Sequence, residues 1–262
     1  MKNTNNYLIN YKLKKEGFSF TPVIFPKATI EKAKNSLWEV IQGYYETGVA
    51  PENRFWEIGD DPEKIIKIDK PHLSNKNIWK LITGENFGII LAEATGSNLV
   101  QVWHSQAVWK PSGGGRKGNA GWHRDIQYWP FWKEYGVYTA WIALTDVFED
   151  SGPVRYAKES HNWKDIQKLD FFDSDVKNQD LEINKEYQNY EIINATLKKG
   201  AISIHSSKTY HSSIENNSNL PRVGLVVHFC TEKARKAKIE GKYSNYLDNL
   251  NDKIICPIIY KR

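Results

Sequence analysis

His123 and Asp125, separated by one residue in Gly121-Trp122-His123-Arg124-Asp125, are the sharpest chemical signal in the chain. On extended backbone alternate side chains share a face, so an imidazole and a carboxylate at this spacing can bind one cation together. A third donor must then come from elsewhere. His211 closes the run Gly200-Ala-Ile-Ser-Ile-His-Ser-Ser-Lys-Thr-Tyr-His211, where a short β run leads into a polar turn that could face the mouth of a barrel. Two histidines and one carboxylate on one face of a metal leave three coordination positions open, the arrangement of non-haem iron(II) oxygenases. Arg222 comes eleven residues after His211 and opens another strand-like run. Buried there, its guanidinium could grip a carboxylate through two parallel N–H···O bonds. Each signal is weak alone: a His-x-Asp pair is common by chance, His211 could cap a turn, and Arg222 could lie in solvent. Their order and spacing together are harder to obtain by accident.

The elements that would position these residues can be read from periodicity. Gly17 to Phe25 alternates enough to predict a strand, and Pro26 to Tyr44, with Ile30, Ala33, Leu37, Val40 and Ile41 at helical spacing, predicts a capped amphipathic helix. A second helical pattern covers Asn77 to Gly96. Strand signals dominate thereafter: Leu99 to Trp109, Tyr138 to Leu144, Ala201 to His205 and Val223 to Cys230, with Pro111-Ser-Gly-Gly-Gly115 as a breaking loop. The polar stretch from Asn162 to Lys199 reads as an excursion from the sheet core. Helices first and many short strands after predict a mainly β protein, a sandwich or barrel with flanking helices. No repeat or break in composition forces a boundary. The expectation is one domain over 1–262, with a helical part at about 1–98 packing on a β core at about 99–230.

Bulk composition narrows the function. The 262 residues carry a net charge of +5, but basic and acidic side chains are interspersed rather than gathered into a patch. That argues against nucleic-acid binding. The short basic run Lys233-Ala-Arg-Lys-Ala-Lys238 is expected to be a solvated helix. Ten Trp, 14 Tyr and 10 Phe supply bulk for a packed core. Two cysteines, Cys230 and Cys256, have no zinc-type spacing; a disulfide between them is possible but would not define a scaffold. With a polar first fifteen residues and no run of 18 apolar ones, the expectation is a cytoplasmic protein without a membrane span, a monomer or weak homo-oligomer acting on a small molecule.

At this point the chain resembles the phytanoyl-CoA dioxygenase family. The resemblance rests on Trp122-His-Arg-Asp-Ile-Gln-Tyr-Trp-Pro-Phe131, Trp141-Ile-Ala-Leu-Thr-Asp146, Gly152-Pro-Val and Glu159-Ser-His161, and on Lys199-Gly200, His211-Ser-Ser213, Asn216 and Arg222. Gly17-Phe18 and the strand from Leu99 to Pro111 fit as well, so it spans about residues 15 to 230. It implies a double-stranded β-helix core (jelly-roll, cupin-like), with Fe(II) on His123, Asp125 and His211 and with 2-oxoglutarate and O2 as co-substrates. Arg222 would meet the distal carboxylate of 2-oxoglutarate, helped by Trp141, Gln106 and Ser213, and Lys67 falls where the family has a further co-substrate lysine. The implied activity is a dioxygenase reaction releasing succinate and CO2, hydroxylation first of all, with desaturation or cyclisation as other fates of the substrate. Asp125 bears on this, since halide-transferring relatives lack that carboxylate. Two departures stand out: Arg124 replaces a frequent Gln and should point away from the metal, and Ala201 follows Gly200 where the family usually has Asp.

Other candidates are less defined. Gln127, Tyr128, Trp129, Trp132 and Arg155 are possible substrate contacts, the aromatic ones equally readable as core. His104 and His205 read as satisfied groups on strands and His161 as support behind the ligands. His72 and His228 have no evident partner. Two other classes remain open: a non-catalytic metal-binding or sensor protein of the same fold, and a cupin-like metalloenzyme that does not use 2-oxoglutarate.

Overall fold

The computed structural model describes residues 4–113 and 115–262. In chain order the helices and strands are α1 (Thr4–Glu16), β1 (Phe18–Phe20), α2 (Lys27–Ile41), β2 (Ile66–Asp69), α3 (Pro71–Ser74), α4 (Lys76–Ile82), α5 (Glu85–Thr95), β3 (Leu99–Lys110), β4 (Ala120–His123), β5 (Val137–Ala143), β6 (Val154–Ala157), α6 (Val176–Glu186), β7 (Ile192–Asn194), β8 (Ile202–Ser206), β9 (His211–Ser213), β10 (Arg222–Thr231) and β11 (Ile258–Lys261). The strands form two antiparallel sheets. The major one runs β1-β8-β5-β10-β3-β11, with β2 also on β3, and the minor one runs β4-β9-β6-β7. This is the cupin-like double sheet with helices packed outside, as the order of elements predicts.

Strand β10 shows how the sequence builds both faces of the major sheet. Its residues are buried throughout. Val223, Leu225, Val227 and Phe229 join the large apolar cluster that includes Ile30, Leu37 and Ile41 of α2, Ile78 and Leu81 of α4, and Phe87 and Leu91 of α5. The alternate residues Arg222, Val226 and His228 line the internal cavity instead. A period of two therefore sorts one strand into a helix-facing apolar row and a chemistry-bearing row. In α2 the buried positions Ile30, Ala33, Leu37, Val40 and Ile41 recur at three- and four-residue spacing, and Pro26 stands at its N-terminus without a side-chain cap.

The structure departs from the sequence reading in several places. The helical pattern from Asn77 to Gly96 is two helices, because Gly84 has extended backbone at the start of α5. The expected strand from Gly17 to Phe25 shortens to β1. Thr4–Glu16, polar on average, forms α1, anchored by Ile9 and Leu13 one turn apart in the large cluster. Lys233 to Lys238 is not a helix. Lys133 N donates to Arg235 O and Ala237 N to Phe131 O, so this backbone is taken up by pairing with the turn after Trp129. The β structure also continues past 230, since β11 returns to pair with the start of β3. Cys230 and Cys256 are free thiols, both buried in one aromatic cluster. Among the described residues no helix is long and apolar enough to cross a membrane.

Candidate active site

Register across the major sheet stacks the inward side chains in rows. His205, Thr139, His228 and His104 are successive cross-strand partners on β8, β5, β10 and β3. The next row holds Ser203, Trp141, Val226, Gln106 and Asp69. The last contains Lys110 opposite Arg222. The minor sheet closes over these rows with His123 of β4 directly opposite His211 of β9.

His123, Asp125 and His211 come together: one ligand atom from each lies within 4.8 Å of the others, and all three residues are buried. The histidine rings are 4.1 Å apart between centroids, and their Nε2 atoms stand 4.0 and 3.7 Å from the same Asp125 Oδ1. Each ring is fixed from behind. His123 Nδ1 donates to Gly121 O at 2.7 Å and His211 Nδ1 to Thr209 O at 3.0 Å, which leaves both Nε2 lone pairs facing the gap. Gly121 matters for a second reason: a side chain there would run into the Asp170 and Asp173 carbonyls, so only glycine lets the 162–199 excursion close against β4.

Asp125 is oriented through its other oxygen. Thr139 Oγ1 donates to Oδ2 at 2.5 Å and His205 Nε2 donates to it at 3.1 Å. Behind them, His228 Nδ1 meets Thr139 Oγ1 at 2.9 Å and Tyr156 OH meets His205 Nδ1 at 3.1 Å. Burial alone would raise the Asp125 carboxyl, but His211 and the hydrogen bond from His205 hold it well below the usual carboxylate range. Burial pushes His123 down to about 4, with Asp125 opposing, and, together with His123 and His205, pushes His211 well below its ordinary value. Two neutral imidazoles and one carboxylate are the protonation states in which these groups bind a divalent metal. The residues therefore fit a metal on chemistry as well as geometry. Thr139→Val, which removes the donor to Oδ2, is expected to weaken divalent-metal affinity roughly 10- to 100-fold. Anaerobic calorimetric titration with Fe(II) or Co(II) measures this, and unchanged affinity would show that Thr139 does not support Asp125.

The same cavity, of about 620 Å³, runs from this set to Arg222. The guanidinium lies 5.3 Å from the Trp141 ring centroid, its Nη1 donates to Gly152 O at 2.9 Å, and its Nε is buried without a partner. Gly224 makes the stack possible, since a Cβ there would overlap the Trp141 indole. Beside Arg222, the fully buried Lys110 donates from Nζ to Ser213 Oγ at 2.8 Å and to Ile214 O. Burial, reinforced by Arg222, pushes the Lys110 ammonium well below its ordinary value, and burial brings Arg222 down to about 10. Among the described residues neither Arg222 nor Lys110 has a carboxylate in ion-pair contact, and with the unpartnered Ser212 Oγ close by in sequence the Arg222 guanidinium makes a site suited to an anion.

Lys67, Gln106, Trp141, Ser213 and Arg222 all line the cavity, and so do Tyr128 and Trp129. Gln106 is less free than expected, because its Nε2 donates to Asp69 Oδ1 at 2.8 Å. Lys67 holds its ammonium 4.4 Å from the Phe171 ring centroid; burial lowers it, opposed by Asp69 and Asp125.

Three expected substrate contacts lie outside the lining. Arg155 is captured by Asp180 of α6 at 3.2 Å. Gln127 is exposed, and its Oε1 accepts from Arg124 N. Trp132 is buried in the aromatic cluster beneath Trp103. His161 also stands elsewhere, its Nε2 against Lys14 O and its ring against Gly17, so it supports the junction of α1 with β1. Arg124 does point away from the metal set, to Asp165 and the Tyr210 ring. Sequence reading missed the partners Thr139 and His228 and the buried Lys110. Their one signal is parity: Thr139 shares a strand face with Trp141, and His228 with Arg222.

The family model for phytanoyl-CoA dioxygenase (PhyH) matches residues 17–224. A probable alpha-ketoglutarate-dependent hypophosphite dioxygenase of Stutzerimonas stutzeri is 22% identical over 208 residues, covering 76% of this chain and 70% of that protein. Two solved structures share the fold. The non-heme alpha ketoglutarate dependent carbocyclase SnoK from nogalamycin biosynthesis has a TM-score of 0.69 at 17% identity, over 90% of this chain and 89% of that one. The epimerase SnoN, in complex with Fe3+, alpha ketoglutarate and nogalamycin RO, has a TM-score of 0.66 at 15% identity, over 88% and 85%. A match that runs from the first strand into the last long one, carrying both the histidine–aspartate pair and the arginine strand, places the sequence: this chain belongs to the phytanoyl-CoA dioxygenase family.

Proposed function

We propose that the chain is a non-haem iron(II), 2-oxoglutarate-dependent oxygenase that oxidises a small or medium-sized organic molecule. The observation that carries this reading is a single cavity with two prepared ends. One end presents two Nε2 atoms and Oδ1 with their outer hydrogen bonds already made, and the other presents Arg222 over Trp141 with an unpartnered buried Nε. A metal at the first and a dicarboxylate reaching the second would use both. The names of the curated relative and of both structural neighbours, which specify alpha-ketoglutarate dependence or an alpha-ketoglutarate complex, support the co-substrate.

In this reading His123, Asp125 and His211 hold Fe(II), which supplies dioxygen activation and substrate oxidation when bound. Arg222 and Ser213 hold the distal carboxylate of 2-oxoglutarate, Trp141 carries the guanidinium, and Lys67 and Gln106 complete the co-substrate wall. Tyr128 and Trp129 stand on the substrate side. For hydroxylation the balance is R–H, O2 and 2-oxoglutarate giving R–OH, succinate and CO2. We take hydroxylation as the outcome, with Asp125 filling the coordination position that halide transfer would need. Hypophosphite, the substrate in the relative's name, is so small an anion that it would leave most of the 620 Å³ cavity empty.

Oxygen uptake and succinate formation by purified protein test the assignment. Both are expected only when Fe(II) and 2-oxoglutarate are present together, with the weak visible absorption band of the anaerobic Fe(II)·2-oxoglutarate complex. Protein that binds neither, or that turns over without 2-oxoglutarate, would overturn it.

Lys110 gives a finer check. Its Nζ donates to Ser213 Oγ, so the serine proton is free to meet a carboxylate. Lys110→Met is expected to raise the dissociation constant for 2-oxoglutarate about tenfold, the loss of roughly one charge-assisted hydrogen bond. Metal affinity should not change. Anaerobic titration of the absorption band reads both.

A further inference from the structure

Aromatic side chains crowd the part of the cavity away from Arg222, and apart from Trp103 of β3 they come from segments outside the two sheets. Of the aliphatic lining, Val108, Val154 and Val226 cluster with Trp141 at the co-substrate end. Phe131 and Tyr246 stack at 4.4 Å and 18°, and Trp103 meets Phe131 and Trp129 edge-on at 5.6 and 4.8 Å. This group reaches the metal ligands through His228, whose ring is 4.7 Å from Trp129 and which hydrogen-bonds to Thr139. A second group, Phe55 and Phe171, is bridged by Lys67 Nζ at 5.2 and 4.4 Å, and Phe171 sits edge-on against His123 at 5.0 Å. Both aromatic groups therefore converge on the metal set.

Two further facts point to what fills the space. Phe55 and Phe172 are 54% and 68% exposed at this same cavity, an uncovered apolar rim of the kind that marks a binding site. Trp103 Nε1 and His104 Nδ1 are buried without hydrogen-bond partners, and both residues line this end. His104 Nε2 faces Asp69 at 3.5 Å, and the Trp103 indole N–H is a donor without an acceptor. An oxygen on a ligand could accept from the Trp103 indole N–H.

We infer that the substrate of this cavity is a planar, ring-bearing organic molecule with at least one oxygen substituent, held by aromatic contact beside the metal set. Aromatic walls favour flat partners through offset and edge-on geometry, which a flexible chain cannot match. The inference rests on the oxygenase reading for the ligand's role as substrate, but ring binding itself can be measured separately.

The test is equilibrium binding to full-length protein loaded anaerobically with Fe(II) and 2-oxoglutarate, read by quenching of tryptophan fluorescence. The probes are 2-naphthol, naphthalene, 1-octanol (an alcohol of similar hydrophobicity) and hypophosphite. Expected results are at least tenfold tighter binding of 2-naphthol than of 1-octanol, several-fold weaker binding of naphthalene than of 2-naphthol, and none of hypophosphite. Phe131→Ala and Tyr246→Ala should each weaken 2-naphthol about tenfold while leaving the 2-oxoglutarate dissociation constant unchanged, which also shows that the variants are folded. Octanol or hypophosphite binding as well as the naphthol, or naphthol affinity indifferent to both variants, would overturn the inference. If instead no Fe(II)·2-oxoglutarate band forms, the oxygenase reading fails, and the same titration without co-substrate still decides ring preference.

Discussion

Asp125→Ala is expected to abolish turnover and to weaken divalent-metal binding by more than about 100-fold, beyond the range seen when only an outer partner of a ligand is removed. The size follows from its position. Asp125 Oδ1 is the only anionic donor in the set, and its Oδ2 is the endpoint of hydrogen bonds from Thr139 and His205. Removing the carboxylate takes away one ligand and leaves two buried donors without an acceptor. It also leaves His123 and His211, both neutral, without the charge that a cation requires. Anaerobic metal titration and succinate formation check the two effects, with circular dichroism to establish that the variant is folded. Unchanged turnover would sink the assignment of this site.

Arg222→Ala is expected to act on the other end. Truncating one partner of a buried, hydrogen-bonded charge pair costs about 2–5 kcal/mol, so the requirement for 2-oxoglutarate should rise from about 30-fold to a few thousand-fold. Metal affinity should stay within a few-fold of the unsubstituted protein, because Arg222 makes no contact with the ligand set; its partners are Gly152 O and the Trp141 face. Arg222→Lys should recover part of the loss by restoring charge without the planar fork. Succinate formation against 2-oxoglutarate concentration, beside direct metal titration, separates the two quantities. An unaltered co-substrate dependence in the alanine variant would remove Arg222 from that role.

How far the sequence foretold this site depends on whether a residue's partner is local. His123 and Asp125 are two apart, and Arg222 opens a strand whose alternation is plain to read, so these positions were legible. His211 was legible as a donor but not as the cross-strand partner of His123, because register between β4 and β9 is set by pairing at a distance. The row His205, Thr139, His228 and His104 exists only through that register. No local pattern assigns it, and His228 read as partnerless. Proximity to the histidine–aspartate pair misled in the other direction. Gln127 follows the pair in sequence but turns to Arg124, and Arg155 was claimed by Asp180 on a helix inside a stretch with little periodicity. The same blindness hid the rest of the aromatic wall beyond Tyr128 and Trp129, because Phe171 comes from that stretch and Tyr246 from the segment leading to β11. The fold itself was the easier part, since it follows from apolar alternation and the placing of helices before strands.

Strand β3 carries a consequence for synthesis. It is twelve residues long and lies between β10 on one side and β2 with β11 on the other. When β3 leaves the ribosome only the four residues of β2 are available to it, covering Gln106 to Trp109. Its main partner, β10, ends at Thr231, so the ribosome must add roughly 120 more residues, about 6–24 s at 5–20 residues per second. Throughout that interval a nascent chain displays an open edge of Val100, Val102, Trp103 and Ala107, a template for pairing with other chains. Slower folding and a need for protection during translation are thus built into the same strand that later carries His104 and Gln106 into the cavity wall.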